Sequence, residues 1–332
     1  MGHSWPRVFR VLAIGTASAL SAAVLAGCGA SGSSGGGNSG SGNGLEKTRL
    51  SVGALAVADD APLYIAIKDG FFKQVGLTVT AVPVAQSTQA IPDMLRGSVD
   101  IIAAANYVSF FQAESKGVLS FKVLADATHC QPSTFQVMAL PGSGIKGPAD
   151  LAGKTVAVNL TNNVQTLTLD AVLKQDRVNP SSVHYVQVPF PDMVAALKAH
   201  RVDAISAIEP FLTASSQQLG AVPVVSQCAG PTAGFPLSGY FATASWAQRN
   251  PNTAKAFQKA LDKAQALADS NPAAVRQILP TYTKVTAKTA SILKLNTYPA
   301  TLSSSAMRQV TSLMMSGGML TKQLSVSSLM FP

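Results

Sequence analysis

Met94-Leu95-Arg96-Gly97-Ser98-Val99-Asp100-Ile101-Ile102-Ala103 recurs in altered form as Ala196-Leu197-Lys198-Ala199-His200-Arg201-Val202-Asp203-Ala204-Ile205-Ser206-Ala207. Each copy reads as a helix end, a tight turn, and Val-Asp entering a short apolar strand. Gly97 suits a helix C-terminus because, lacking a Cβ, it tolerates positive φ. Arg96 and Lys198 in the last turn complement the negative end of the helix dipole. The strands that follow are continuously apolar, as strands covered by helices on both faces are. One copy in each half predicts two α/β lobes, each delivering a strand end to a shared crevice. Two ordinary helix–strand junctions that coincide would read the same way.

The bulk properties agree with a two-lobed body. At 332 residues the chain has length for about two domains. With 47% hydrophobic and only 12% charged residues, it is built for a packed core rather than for disorder. The formal charge is +9. Lys and Arg are scattered, without the basic stripe and stacking aromatics of a nucleic-acid binder, so nucleic acid is excluded as a partner. A weakly cationic surface suits the outside of an anionic membrane.

The amino terminus predicts an address. Arg7 and Arg10 precede an apolar run from Val11 to Ala26, the length of a signal-peptide core and short for a spanning helix. It closes in Leu25-Ala26-Gly27-Cys28, which resembles the bacterial lipobox, with lipidation at Cys28 after cleavage of residues 1–27. An uncleaved signal anchor with an incidental cysteine is the alternative. Removing residues 1–27 leaves 23 basic against 16 acidic residues. Residues 28–46 carry the lipid and a linker made mostly of Gly, Ser and Asn, a flexible tether with a root-mean-square reach of roughly 20–25 Å over sixteen residues. Cys130 and Cys228 remain, an even pair in an exported chain, and both fall where the chain should cross between lobes. They form a bridge or stay as two buried thiols.

Along the body, Asp59-Asp60-Ala61-Pro62 reads as acidic cap candidates before a Pro-led helix, and Asn250-Pro251 and Asn271-Pro272 as two further caps. The carboxy-terminal third reads as helical, ending at Gly317-Gly318 and a polar tail.

At this point the order of segments resembles a known family. Pro62-Leu63-Tyr64-Ile65-Ala66, Gly70-Phe71-Phe72, Gly76-Leu77-Thr78-Val79 and Asp150-Leu151-Ala152-Gly153-Lys154-Thr155-Val156-Ala157-Val158 are similar, in this order, to the substrate-binding proteins for nitrate, sulfonates, taurine and thiamine-pyrimidine precursors. The resemblance spans about Leu50 to Leu279. It implies a type II periplasmic-binding-protein fold with two hinge crossings, each lobe a central mixed sheet flanked by helices. The lobes are expected at 47–130 plus 229–332 and at 131–228. It further implies a monomeric ABC-importer lipoprotein that passes a small solute to permease and ATPase subunits, with no cofactor and no catalysis. Two alternatives share the fold: a thiamine-pyrimidine synthase-like enzyme, and a ligand-sensing lipoprotein. The enzyme carries a cysteine-rich iron segment that has no counterpart here, and His129, His184 and His200 are isolated.

Ligands of open α/β sheets sit outside the carboxyl ends of strands. That rule selects Asp59, Asp60, Asn106, Tyr107, Asn159, Thr161, Asn162, Asn163 and Glu209, with Phe235 and Tyr240 on the return segment. Thr161, Asn162 and Asn163 open a helix whose N-terminus offers free N–H groups to a sulfonate, nitrate or carboxylate; simple capping is their other role. Asp59, Asp60 and Glu209 point instead to an amine or aminopyrimidine. Tyr107, Phe235 and Tyr240 are ring-stacking or core residues. No Arg falls in these loops to clamp an anion, and Asn159-Leu160-Thr161-Asn162-Asn163 departs from the Gly/Ser-rich turn usual in the family.

Overall fold

The computed structural model describes residues 44–332. The expected signal segment, the expected lipidation site Cys28 and the expected linker up to residue 43 lie outside the described residues. The chain runs β1 (Arg49–Ala54), α1 (Ala61–Lys68), α2 (Phe71–Gln74), β2 (Thr78–Pro83), α3 (Ile91–Arg96), β3 (Ile101–Asn106), α4 (Tyr107–Ser115) and β4 (Phe121–His129). It then crosses to β5 (Phe135–Ala139), β6 (Thr155–Val158), α5 (Val164–Gln175), β7 (His184–Gln187), α6 (Phe190–Lys198), β8 (Ala204–Ile208), α7 (Phe211–Leu219) and β9 (Val222–Ser226). It returns through β10 (Pro236–Thr243) and ends in α8 (Ala244–Arg249), α9 (Pro251–Ser270), α10 (Pro272–Ile278), α11 (Ala287–Ala290), α12 (Ser304–Ser316) and α13 (Val326–Leu329).

Two five-stranded sheets result, in the orders β2-β1-β3-β10-β4 and β7-β6-β8-β5-β9. In the first, β1 pairs parallel with β2 and β3, and β10 antiparallel with β3 and β4. The second repeats this, with β6 parallel to β7 and β8, and β5 antiparallel to β8 and β9. Each lobe is thus a mixed sheet with helices over it. Cys130 and Cys228 are disulfide-bonded where the two crossings pass, their Cα atoms 5.7 Å apart.

The two copies of the repeated stretch occupy equivalent places, leading into the central strands β3 and β8. Asp100 Oδ2 accepts the N–H of Ser51 at 2.9 Å, while the Asp100 N–H donates to the Ser51 carbonyl at 2.9 Å. In the second lobe Asp203 Oδ2 accepts from Thr155 N at 2.8 Å, and Asp203 N donates to Thr155 O at 2.9 Å. Each aspartate therefore clips its strand to the neighbouring parallel strand. Gly97 closes α3 at φ 78, and His200 takes the left-handed turn of the second copy at φ 52.

The long helix α9 buries Ala254, Phe257, Leu261, Ala264 and Ala268, one face at helical spacing. Phe257 stacks on Phe72 of α2, ring centroids 5.1 Å apart. Its amino end differs from the sequence expectation. Asn250 does not cap α9; its amide donates to the Trp246 carbonyl at 2.9 Å. The cap comes from Glu46, whose carboxylate accepts from Asn252 N at 3.1 Å and Thr253 N at 2.9 Å. A charge at these orphan donors also suits the positive helix end. Asn271 does cap α10, accepting from Ala273 N at 3.2 Å. The tail beyond Gly318 is not merely polar: Phe331 is buried, and its N–H donates to Val123 O at 2.9 Å. The tail thereby covers the open edge of β4, which would otherwise present unpaired backbone groups.

Candidate functional site

Strand ends of both sheets meet around one cavity. The first lobe contributes Leu55, Val57 and Asp59 after β1, Ser87 after β2, Asn106 at the end of β3, and Leu237 and Ser238 of β10. The second contributes Phe135 of β5, Asn159 after β6, Asn163, Val164 and Gln165 at the start of α5, Phe190 after β7 and Ile208 of β8. Its volume is about 50 Å³, on the scale where one water needs roughly 10–15 Å³. The space suits a solute of a few heavy atoms.

The lobes are closed on each other around it. Gln86 Nε2 donates across the cleft to the Asn159 carbonyl at 2.6 Å, and Ala58 N donates to Glu209 O at 3.1 Å. Lys294 N donates to Glu209 Oε1 at 3.1 Å.

The polar lining is tightly ordered. Asn106 caps α4, accepting from Ser109 N at 2.8 Å, and its amide donates to Ser87 Oγ at 3.2 Å. Asn163 caps α5, accepting from Gln165 N at 2.9 Å, while Thr166 Oγ1 takes the Asn163 N–H at 3.0 Å. These bonds engage N–H groups at the helix start that the sequence reading offered to an anion. Gln165 Oε1 accepts from Asn159 N at 2.6 Å, and Asn159 Oδ1 accepts from Phe190 N at 3.3 Å.

Asp59 and Asp60 are not helix caps; neither makes a side-chain capping bond to α1. Both are buried instead. Asp59 accepts from Thr128 Oγ1 at 2.9 Å and from Asn296 Nδ2 at 2.9 Å. Asp60 turns inward and accepts from Leu55 N at 3.2 Å. Burial pushes the Asp59 carboxyl up to about 6, against the lowering effect of its two hydrogen bonds. Burial, then the neighbouring Asp59 charge, pushes Asp60 well above the carboxylate range.

An acid with a raised folded pKa favours folding below its unfolded pKa and loses that contribution as pH rises through the folded value. Asp59 is therefore expected to cost the ligand-free protein about 2 kcal/mol between pH 4 and pH 7. Urea unfolding across that range measures it as the difference between wild type and Asp59→Asn. Parallel pH profiles of the two proteins would refute it.

Of the predicted residues, Asp59, Asn106, Asn159 and Asn163 converge on the cavity. The others go elsewhere. Tyr107 is buried in the first-lobe core, its hydroxyl on Asp126 and its ring 5.4 Å from Phe111. Tyr240 is buried near Phe257, and Phe235 is buried at the crossing, where its carbonyl accepts from Cys130 N. Their apolar area serves packing rather than stacking on a ligand. Thr161 and Asn162 are exposed on the turn outside, Asn162 at φ 52. Glu209 lines a separate cavity of about 290 Å³ with Thr213 and Lys294. Sequence reasoning missed Ser87, Phe190 and Gln86. They follow β2 and β7, so the strand-end rule that found Asn106 and Asn159 reaches them when applied to all the parallel strands.

Among the described residues no helix is long and apolar enough to cross a membrane. The nitrate/nitrite binding protein NrtA of Nostoc sp. is 24% identical over 243 residues, which cover 68% of this chain and 55% of the relative. The chain thus spans about half the length of that curated relative. The solved periplasmic aliphatic sulphonate binding protein SsuA from Escherichia coli superposes with a TM-score of 0.68 at 18% identity, covering 86% of this chain and 98% of that one. The periplasmic nitrate-binding protein NrtA from Synechocystis gives a TM-score of 0.72 at 17% identity, covering 86% and 85%. These likenesses show the two-lobed periplasmic-binding fold. The family described as "NMT1/THI5 like" matches residues 58–275, and the chain belongs to that family.

Proposed function

We propose that this protein is an extracytoplasmic solute-binding lipoprotein of an ABC importer. It captures a small solute between its lobes and delivers it to the permease, held at the membrane by a lipid on Cys28 and the tether that follows. The cavity walled by strand ends of both sheets, with Gln86 bonded across it to Asn159, carries the proposal. Such a cavity opens and closes by rotation about the two crossings, the hinge motion of a capture device. The likeness to nitrate- and sulphonate-binding proteins supports the role.

A binding protein is stabilised by its ligand as RT ln(1 + [L]/Kd), about 2.7 kcal/mol at a hundredfold excess over Kd. A thermal-shift screen over nitrate, taurine, alkanesulfonates and aminopyrimidines, with product analysis of each mixture, tests this. Stabilisation with every compound recovered unchanged is expected. Turnover of a compound, or no stabilisation across the panel, would sink the reading.

A further inference from the structure

We propose that the interlobe cavity selects a small solute by its N–H donors, as an amide, amidine or amine, through the carboxylate of Asp59, and disfavours simple oxyanions. The inference rests on the solute-binding reading above.

Asp59 is the one charged side chain of the lining, 6% exposed, and no Lys or Arg lines the cavity. Its oxygens receive one donor each, from Asn296 and Thr128. A carboxylate offers about four acceptor positions, so acceptor capacity remains. Thr128 has a single hydroxyl proton and spends it on Asp59. The 2.9 Å contact between Thr128 Oγ1 and Ser238 Oγ then takes its proton from Ser238. Ser238, also in the lining, is left with lone pairs to offer. Asp59 and Ser238 therefore form an acceptor surface.

The remaining polar groups supply donors. Ser87 Oγ accepts from Asn106, which leaves the Ser87 hydroxyl proton and the second Asn106 amide proton available. Asn159 uses its Oδ1 on Phe190 N, which leaves its amide group to donate. A solute with N–H groups and one acceptor satisfies both sets. A nitrate or sulfonate brings acceptors only, and it meets a carboxylate with no cation beside it. Phe135, Phe190 and Leu237 give the cavity apolar walls, and beside such walls the mismatch is felt more strongly than in open water. Asn296, which holds one oxygen of Asp59, lies beyond the residues matched to the family. This device is therefore built partly from the chain's own carboxy-terminal part.

The test is calorimetric titration of the full protein with probes of matched size: acetamide, acetamidinium and guanidinium against nitrate and methanesulfonate. At least one N–H donor is expected to bind tenfold or more tighter than either oxyanion, and Asp59→Asn is expected to weaken it tenfold or more. That variant keeps the shape and removes a buried charge, and its thermal unfolding reports that it is folded. Equal or tighter oxyanion binding, or an unaffected Asp59→Asn, overturns the inference and leaves the solute-binding reading standing. Failure of all five probes overturns the inference, while the wider panel still judges that reading.

Discussion

Replacing Cys130 and Cys228 together with alanine is expected to lower the unfolding free energy by about 4–5 kcal/mol. The bridge closes a loop across a sequence separation of 98 residues, which contains the whole second sheet. Loop-closure entropy removed from the unfolded chain grows with loop length, and a loop of about 100 residues sits near the upper end of the disulfide range. Both cysteines are buried, so the native state also loses packing at the crossings. Urea unfolding of the double variant against the oxidised protein measures the effect. Thiol counting on denatured, unreduced protein checks the bond itself. Two free thiols in the wild type, or a loss below about 1 kcal/mol, would contradict the expectation.

Asp100→Ala is expected to cost about 2–5 kcal/mol, the cost of the two N–H donors it leaves unpaired. Asp100 is 2% exposed and answers three donors. Its Oδ2 takes Ser51 N at 2.9 Å; its Oδ1 takes Lys47 Nζ at 2.6 Å and Trp246 Nε1 at 2.8 Å. Removing the carboxylate strands the Ser51 and Trp246 N–H groups away from water, at roughly 1–3 kcal/mol each. Lys47 is half-exposed and recovers solvent. Asp203, its counterpart in the repeat, is exposed and holds only Thr155 N. Asp203→Ala should therefore cost only about 1 kcal/mol. Denaturant unfolding of both single variants decides the matter: equal losses would mean that burial does not set the cost.

The same two residues show how far the sequence reaches. The repeated Val-Asp element was visible as letters because helix end, turn and apolar strand are each encoded locally, by glycine tolerance, end charge and continuous hydrophobicity. Both lobes follow from that pattern, and the strand-end rule led directly to Asp59, Asn106, Asn159 and Asn163. Tyr107, Phe235 and Tyr240 satisfied the same rule and still went into the core. An aromatic residue beside a strand end has the same letter whether its ring faces a crevice or fills the space under a helix.

Only the tertiary structure brought Asn296 to Asp59, 237 residues away in sequence, or Glu46 to the amino end of α9, 207 residues before Thr253. Local periodicity records which face of an element is apolar. It does not record which distant polar group will meet an orphaned donor or a buried carboxylate. That choice is made when the packed lobes exclude water and leave each such group only the few partners within reach.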